Sequence, residues 1–266
     1  MIEVHQSGIN TFLHCPKQFY YGNIKQLPET YGEALFLGSS VHYALKHYFK
    51  DGLSIKDTCN LLEVEIRTEN NFLTDERFKP GSRIAYENHT DVLVSSGKEL
   101  IVEYLNKIAG RYTVLENELS LSKKVTDNVT MAGTIDLMVY DNLEKETKLI
   151  DFKTTARKRT RIELLNDIQP TAYAYLVGGP IIFEYHALMR KTAPEIELWK
   201  VYRSQADIDW FIQELLTNFV KCVEQEIYVP NPSGWWCQPK FCSFFGICKR
   251  MNSIEDYLKG FSTGVA

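Results

Sequence analysis

The sequence predicts an α/β fold with a mixed central sheet flanked by helices, a helical N-terminal region and a Cys-rich C-terminal tail. Three observations predict it. Apolar residues recur at spacings of three and four through most of residues 7–110, and the period shifts towards two between Tyr112 and Lys153. After Lys153 the chain alternates helix, strand, strand, helix, and Cys237, Cys242 and Cys248 then crowd the tail.

Taken in order, Ser7 is placed to cap a short helix through Phe12, and Gly38-Ser39-Ser40 to open a second carrying Val41, Leu45 and Phe49. Helical spacing continues over Ile55 to Phe72 and Ile84 to Ile108. Three strands are expected at Val114 to Lys124, Val129 to Tyr140 and Lys148 to Thr154, forming a meander. Asp167 can cap a helix to Leu176, with Pro170 tolerated in its first turn and Gly178-Gly179-Pro180 ending it. Ile181 to Met189 and Glu197 to Tyr202 alternate as strands, and Asp207 to Glu226 returns to helix.

The 266 residues suffice for one large domain with a packed core. A formal net charge of -4 means that a polyanionic partner would have to be met by a local basic patch. The first residues lack the basic and apolar regions of a signal peptide, and no apolar run approaches the roughly 20 residues a bilayer requires, so a cytoplasmic location is expected. In a reducing compartment the six cysteines are expected as metal ligands, redox groups or small core residues.

The second and third strands carry the chemistry. In an antiparallel hairpin, opposed residues have a constant sum of positions, and Asp136 with Asp151 sets that sum so that the turn falls between Leu143 and Glu144, inside a polar stretch. Alternation puts Asp151 and Lys153 on one face and Phe152 on the other. Two carboxylates and an ammonium can then converge, a set suited to Mg²⁺ or Mn²⁺ and to a phosphate. The alternative is that Asp136 ends a strand while Asp151 pairs with Lys153 on a solvated face.

Gly133-Thr134-Ile135-Asp136 followed by Ile150-Asp151-Phe152-Lys153-Thr154 resembles the GxxD and (D/E)xK motifs of PD-(D/E)XK nucleases, in particular the RecB-like branch. Gln169 and Tyr173 resemble the QxxxY motif of that branch, and Gly38-Ser39-Ser40-Val41-His42 the segment that supplies a metal-binding histidine. The resemblance implies a restriction-endonuclease-like core and a single nuclease domain over residues 1–266. Residues 1–111 would be mainly helical, 112–226 the catalytic α/β core, and 227–266 a tail packing with the N-terminal segment. It implies Asp136, Asp151 and Lys153 as catalytic residues, and His42, Asp136, Asp151 and the Phe152 carbonyl as ligands of Mg²⁺ or Mn²⁺. Gln169 and Tyr173 would hold DNA, Tyr173 by stacking on a base. Glu118 is a weaker acidic candidate, and His47 is expected to be merely exposed.

Arg157, Lys158, Arg159 and Arg161 leave the strand that carries Lys153, so they are expected to touch DNA phosphates. Phe19, Tyr20 and Tyr21, near Lys17 and Lys25, read as core and surface rather than as a stacking platform. Three clustered thiols plus remote Cys15 is metal-site arithmetic. In RecB-like nucleases with a [4Fe-4S] cluster, one N-terminal cysteine joins three near the C-terminus, and Cys15, Cys237, Cys242 and Cys248 are similar. The Cys-x4-Cys spacing departs from the shorter first interval of many relatives, which leaves Zn²⁺ on the same thiolates open. Cys59 and Cys222 are expected in the core.

The function expected is a metal-dependent DNA exonuclease on single strands or ends, in recombination, repair or phage DNA processing, with helicase or recombination proteins as partners. An endonuclease, an inactive DNA-end-binding or assembly protein, and an iron-sulfur electron carrier are the rivals.

Overall fold

The computed structural model describes residues 2–69, 72 and 78–262. Its sheet runs β1-β5-β6-β7-β8, with β4 also paired to β5. The strands are β1 Ile2–His5, β4 Tyr112–Lys124, β5 Val129–Asp141, β6 Glu146–Thr155, β7 Ile181–Met189 and β8 Glu195–Arg203. β4, β5 and β6 form the expected antiparallel meander, β6 and β7 are parallel, and β7 and β8 antiparallel. A separate parallel pair joins β2 (Thr30–Gly32) to β3 (Arg83–Ala85).

One face is covered by α3 (Glu33–Asp51), α4 (Ile55–Thr68) and α5 (Thr90–Lys107), which enclose Leu137, Val139, Ile150 and Phe152. Against the other lie α1 (Gln6–His14), α7 (Ile168–Val177) and the helix α8, running through Gln205–Trp210, Phe211–Leu216 and Thr217–Glu224. α2 (Pro16–Phe19) and a π turn (Tyr20–Ile24) pack with the tail through Tyr21, Leu27, Phe244 and Ile247. Short helices α6 (Arg161–Asn166), α9 (Phe245–Cys248) and α10 (Ile254–Ser262) complete the chain.

The strand sequence carries one discontinuity. β4 occupies one edge of β5 from Thr130 to Asp141, so β1 and β6 must share the other edge. β1 pairs with Val129 to Ala132, and β6 with Leu137 to Asp141. Gly133-Thr134-Ile135-Asp136 lies between them, unpaired on that edge. The strands fork there.

Several boundaries differ from the sequence expectation. α1 starts at Gln6 with His5 as its N-cap rather than Ser7. α3 begins five residues before Gly38, because the buried Glu33 carboxylate fixes its first turn by accepting from the Glu87 and Asn88 N–H groups at 2.9 and 2.8 Å. The Ile84 to Ile108 pattern divides, since pairing with β2 holds Arg83–Ala85 as a strand and α5 starts only after His89. α4 stops at Thr68 with Glu69 in the left-handed region; residues 70 and 71 of the longer helix expected there lie outside the described residues. β1 is too short to show alternation. α6 was not expected, although Thr160 and Glu163 form its capping box.

Candidate active site

The hairpin register is the expected one: Leu137↔Ile150 through Asp141↔Glu146 all share the sum that Asp136 and Asp151 would have. The ladder ends one pair before those two residues. Asp136 and Asp151 are therefore not a cross-strand pair. Instead the Asp136 side chain enters the fork, and its Oδ2 accepts the Phe152 N–H at 2.8 Å. This replaces the backbone partner lost when β6 turns away.

His42, on α3, approaches the same Asp136 oxygen at 3.3 Å through Nδ1. Across the fork, Asp151 Oδ1 accepts from Gln169 Nε2 at 2.5 Å, and Lys153 Nζ stands 2.7 Å from Asp151 Oδ2. That contact pairs charges with poor hydrogen-bond geometry, and among the described residues the buried Oδ2 has no other partner. The solvated-face alternative fails on exposure: the side chains of Asp151, Asp136, His42 and Lys153 are 6, 14, 20 and 29% exposed.

Electrostatics divides the two carboxyls. Burial pushes Asp136 up most strongly, but the His42 charge and hydrogen bond, the Phe152 N–H and Lys153 outweigh it, and its pKa ends lowered. Burial also dominates at Asp151, where the neighbouring Asp136 charge adds to it and Lys153 and His42 do not compensate; its pKa is raised. His42 loses basicity by burial and regains more from Asp136, ending raised. One carboxylate is held ionised while the other keeps its proton more tightly than a free aspartate would.

Gln169 and Tyr173 lie in α7 as expected, but both are buried. The Tyr173 hydroxyl donates to the Thr134 carbonyl at 2.7 Å, satisfying the fork's unpaired backbone, and its ring stacks on Phe183. In this structure Gln169 contacts Asp151 and Tyr173 contacts β5, where the sequence reading expects both to hold DNA. Gly133 permits the approach, since a Cβ there would meet Tyr173 and Leu176 at 3.0 Å.

The basic stretch has partners within the chain. Arg157 pairs with Glu163 at 2.6 Å, Lys158 with Glu197, and Arg159 with Asp167. Arg157 and Lys158 stay largely exposed within these surface pairs, 70 and 62%, so the expected phosphate contacts are compatible with them. His47 pairs with Asp51 at 2.6 Å.

Two residues at the fork carried little or no sequence signal. Glu118 lies opposite Asp136 on β4 with φ 54°, a left-handed conformation inside a strand, and its ladder pair is missing. Lys46 pairs with it at 3.2 Å. Lys46 follows His42 by one helical turn, the spacing that could have revealed it.

At the other end of the molecule, Cys15, Cys237, Cys242 and Cys248 line one cavity of about 120 Å³. Asn231 ties the two chain segments together, its N–H donating to Cys15 Sγ at 3.4 Å and its side chain to the His14 carbonyl at 2.8 Å. All four thiols are free. Burial pushes Cys242 up to about 11, helped by the neighbouring cysteines. Among the described residues, no three His, Cys, Asp or Glu side chains are gathered tightly enough to hold a metal ion as they stand. The thiols surround a space rather than a point. Cys59 and Cys222 are partly buried and apart from this cavity.

The sequence matches the PD-(D/E)XK nuclease superfamily over residues 4–249, a span that takes in the fork and all four cavity cysteines. A search of curated proteins finds no match. Among solved structures, a protein from Eubacterium rectale provisionally named an exonuclease is similar, with a TM-score of 0.55 and 11% identity over 88% of this chain and 86% of that one. A second, SSO0001, has a TM-score of 0.44 and 11% identity over 94% of this chain and 87% of its own. The first likeness is one of fold.

Proposed function

The chain belongs to the PD-(D/E)XK nuclease superfamily, and from that premise we propose that it hydrolyses DNA phosphodiester bonds at the fork between β5 and β6, acting as an exonuclease on single strands or ends. The observation that carries this is the buried Asp151 Oδ2, whose one partner among the described residues is the Lys153 ammonium, beside a second carboxylate. Asp136, Asp151 and the Phe152 carbonyl would hold Mg²⁺ or Mn²⁺ through hard oxygen donors, which suit these ions, with the His42 imidazole nitrogen as a further donor. A cation bound there supplies Lewis-acid polarisation of the scissile phosphoryl group.

The protein's own groups do the rest. Lys153 Nζ, the most exposed of the four side chains, can shed Asp151 for a phosphoryl oxygen or orient the attacking water. His42 and the Phe152 N–H keep Asp136 aimed into the fork, and Gln169 fixes the Asp151 rotamer. The fold-level likeness to the Eubacterium rectale protein named an exonuclease supports that choice of class. The tail cavity supports a [4Fe-4S] cluster on Cys15, Cys237, Cys242 and Cys248. Zinc would draw the sulfurs to about 2.3 Å from one centre, whereas these thiols line an open space. Anaerobic purification should give iron with acid-labile sulfide; stoichiometric zinc alone would reassign the site.

End-labelled single- and double-stranded DNA, incubated with Mg²⁺, Mn²⁺ or chelator, tests the activity. The expected result is metal-dependent shortening from an end. Absence of cleavage with either ion would overturn the proposal.

No helix among the described residues is long and apolar enough to cross a membrane.

A further inference from the structure

The chain's charge is distributed unevenly. Residues 4–28 and 227–254 contain no aspartate or glutamate, but they carry Lys17, Lys25, Lys240, Lys249 and Arg250, in a protein whose net charge is -4. These segments fold against each other. The His14 and Trp236 rings stack at 5.0 Å, Tyr21 meets Phe244 at 5.5 Å, and Asn231 bridges to Cys15. Among the described residues, none of the five cations has a carboxylate at ion-pair distance, unlike Arg157, Lys158 and Arg159. The next acids, Glu255 and Asp256, are engaged by Lys259 and Ser253.

The cations sit among aromatic rings. Lys17 lies 4.3 Å from the Tyr20 centroid and Lys25 lies 5.5 Å from the same ring, while Lys240 is 5.6 Å from Phe241. Phe241 meets Trp235 edge to face at 5.0 Å. Trp235 is 70% exposed and Phe241 48%, which leaves ring surface open to solvent. Burying such rings would stabilise the protein, yet among the described residues none covers them. Phe19 and Tyr21 are core residues, so the open rings belong to the tail.

We propose that this acid-free lobe is a platform that holds single-stranded DNA outside the fork, with bases stacked on Trp235 and Phe241 and phosphates met by Lys240 and the lobe's other cations. Open rings interleaved with unpaired cations fit a strand whose bases and phosphates are both exposed; an acidic peptide would use the cations and leave the rings bare. Chain connectivity places the platform within reach of the fork. The β1–β5 ladder ends at His5↔Ala132, beside Gly133, and α1 starts at the next residue. Its nine residues span roughly 13 Å before Cys15, on the order of four nucleotides at about 3.4 Å each. The inference rests on the nuclease reading and extends it by naming where the strand is gripped.

The test is equilibrium binding of labelled dT20 to the anaerobically purified protein in chelator, across a salt series, followed by fluorescence anisotropy. Trp235→Ala and Phe241→Ala should each weaken binding about ten-fold, the scale of one lost base stack. Lys240→Ala should flatten the log–log salt slope by about 0.7. Leu143→Ala, an exposed position in the distant β5–β6 turn, should change neither. Unchanged dT20 binding in both ring variants would overturn the platform, as would polyglutamate displacing dT20 through Trp235. If ring variants bind normally while the wild type degrades dT20 with Mn²⁺, only the platform fails. If ring variants bind weakly and the wild type degrades nothing, the platform stands and the nuclease proposal falls.

Discussion

β5 and β6 bury charge at both ends, and the two ends are built on opposite principles. At the turn end, Lys148 is fully buried and donates to Asp141 at 2.7 Å and to Glu184 at 3.0 Å. Asp141 also accepts from Arg111 and from the Leu143 and Glu144 N–H groups. Glu184 accepts from the Tyr112 hydroxyl at 2.6 Å and contacts His186 Nε2 at 3.1 Å, while His186 Nδ1 meets the Tyr104 hydroxyl. Burial lowers the His186 pKa, which leaves the ring neutral, donating to Glu184 and accepting from Tyr104. Every charge has its counterpart. At the fork end, two carboxylates share one lysine and one histidine, and among the described residues Asp151 Oδ2 has only a poorly aligned Lys153 contact. A satisfied network specifies structure, whereas an unsatisfied one is poised for something the fold itself does not contain.

The largest effect expected at the fork is on catalysis. Asp151→Ala and Lys153→Ala should each lower the cleavage rate by about 10³-fold or more, the scale of removing a preorganised charge from a reacting centre. Single-turnover cleavage with saturating protein would check this. Near wild-type rates in either variant would move the active site elsewhere and erase the contrast between the ends.

The turn end should respond in stability. Lys148→Met leaves two buried carboxylates short of a partner and should cost roughly 3–5 kcal/mol, read from denaturant unfolding. A loss below about 1 kcal/mol would show that the network is dispensable. The same end should be sensitive to acid. Burial pushes Glu184 up, but His186, Tyr112 and Lys148 outweigh it and hold it down to about 2. A depressed carboxyl contributes stability that is complete above its unfolded pKa near 4.3 and is lost as pH falls towards 2. That stability is roughly 3 kcal/mol, so Glu184→Gln should flatten the acid limb of the stability curve between those pH values.

The fork was legible where it depends on local register. Asp136, Asp151 and Lys153 follow from one hairpin and its turn, and the observed ladder keeps the expected sum. What opened the fork was not legible, because it depends on four N-terminal residues pairing with β5 more than a hundred positions away. Sequence separation also hid the partner of Lys158, since Glu197 reaches it from β8. Gln169 and Tyr173 were found by their spacing, but only the packing of α7 shows that they face Asp151 and Thr134. Cys15 and the tail cysteines were recognised by number and spacing; the cavity between them needed the fold.

The smallest effect expected is the sharpest test of the contrast, because it has the opposite sign. Asp151 has a raised pKa from burial first and the Asp136 charge second, so the folded state binds its proton more tightly than the unfolded chain does. Stability therefore falls as pH rises through the folded pKa, and at neutral pH without metal the ionised carboxylate opposes folding. Asp151→Asn removes the charge and keeps an oxygen to accept from Gln169, at the loss of the Lys153 attraction. Since that attraction does not restore Asp151 to an ordinary pKa, the variant should be more stable by about 1 kcal/mol, or a few degrees in Tm, in chelator at pH 7.5. The advantage should shrink as pH falls below the unfolded pKa of about 3.9, where the wild-type carboxyl is protonated in both states. Adding Mn²⁺ should stabilise the wild type and leave the variant nearly unmoved, since only binding to the folded state raises Tm. A variant that melts below the wild type at pH 7.5 without metal would mean that Lys153 and His42 already satisfy Asp151. The two ends of the strand pair would then differ in chemistry but not in strain.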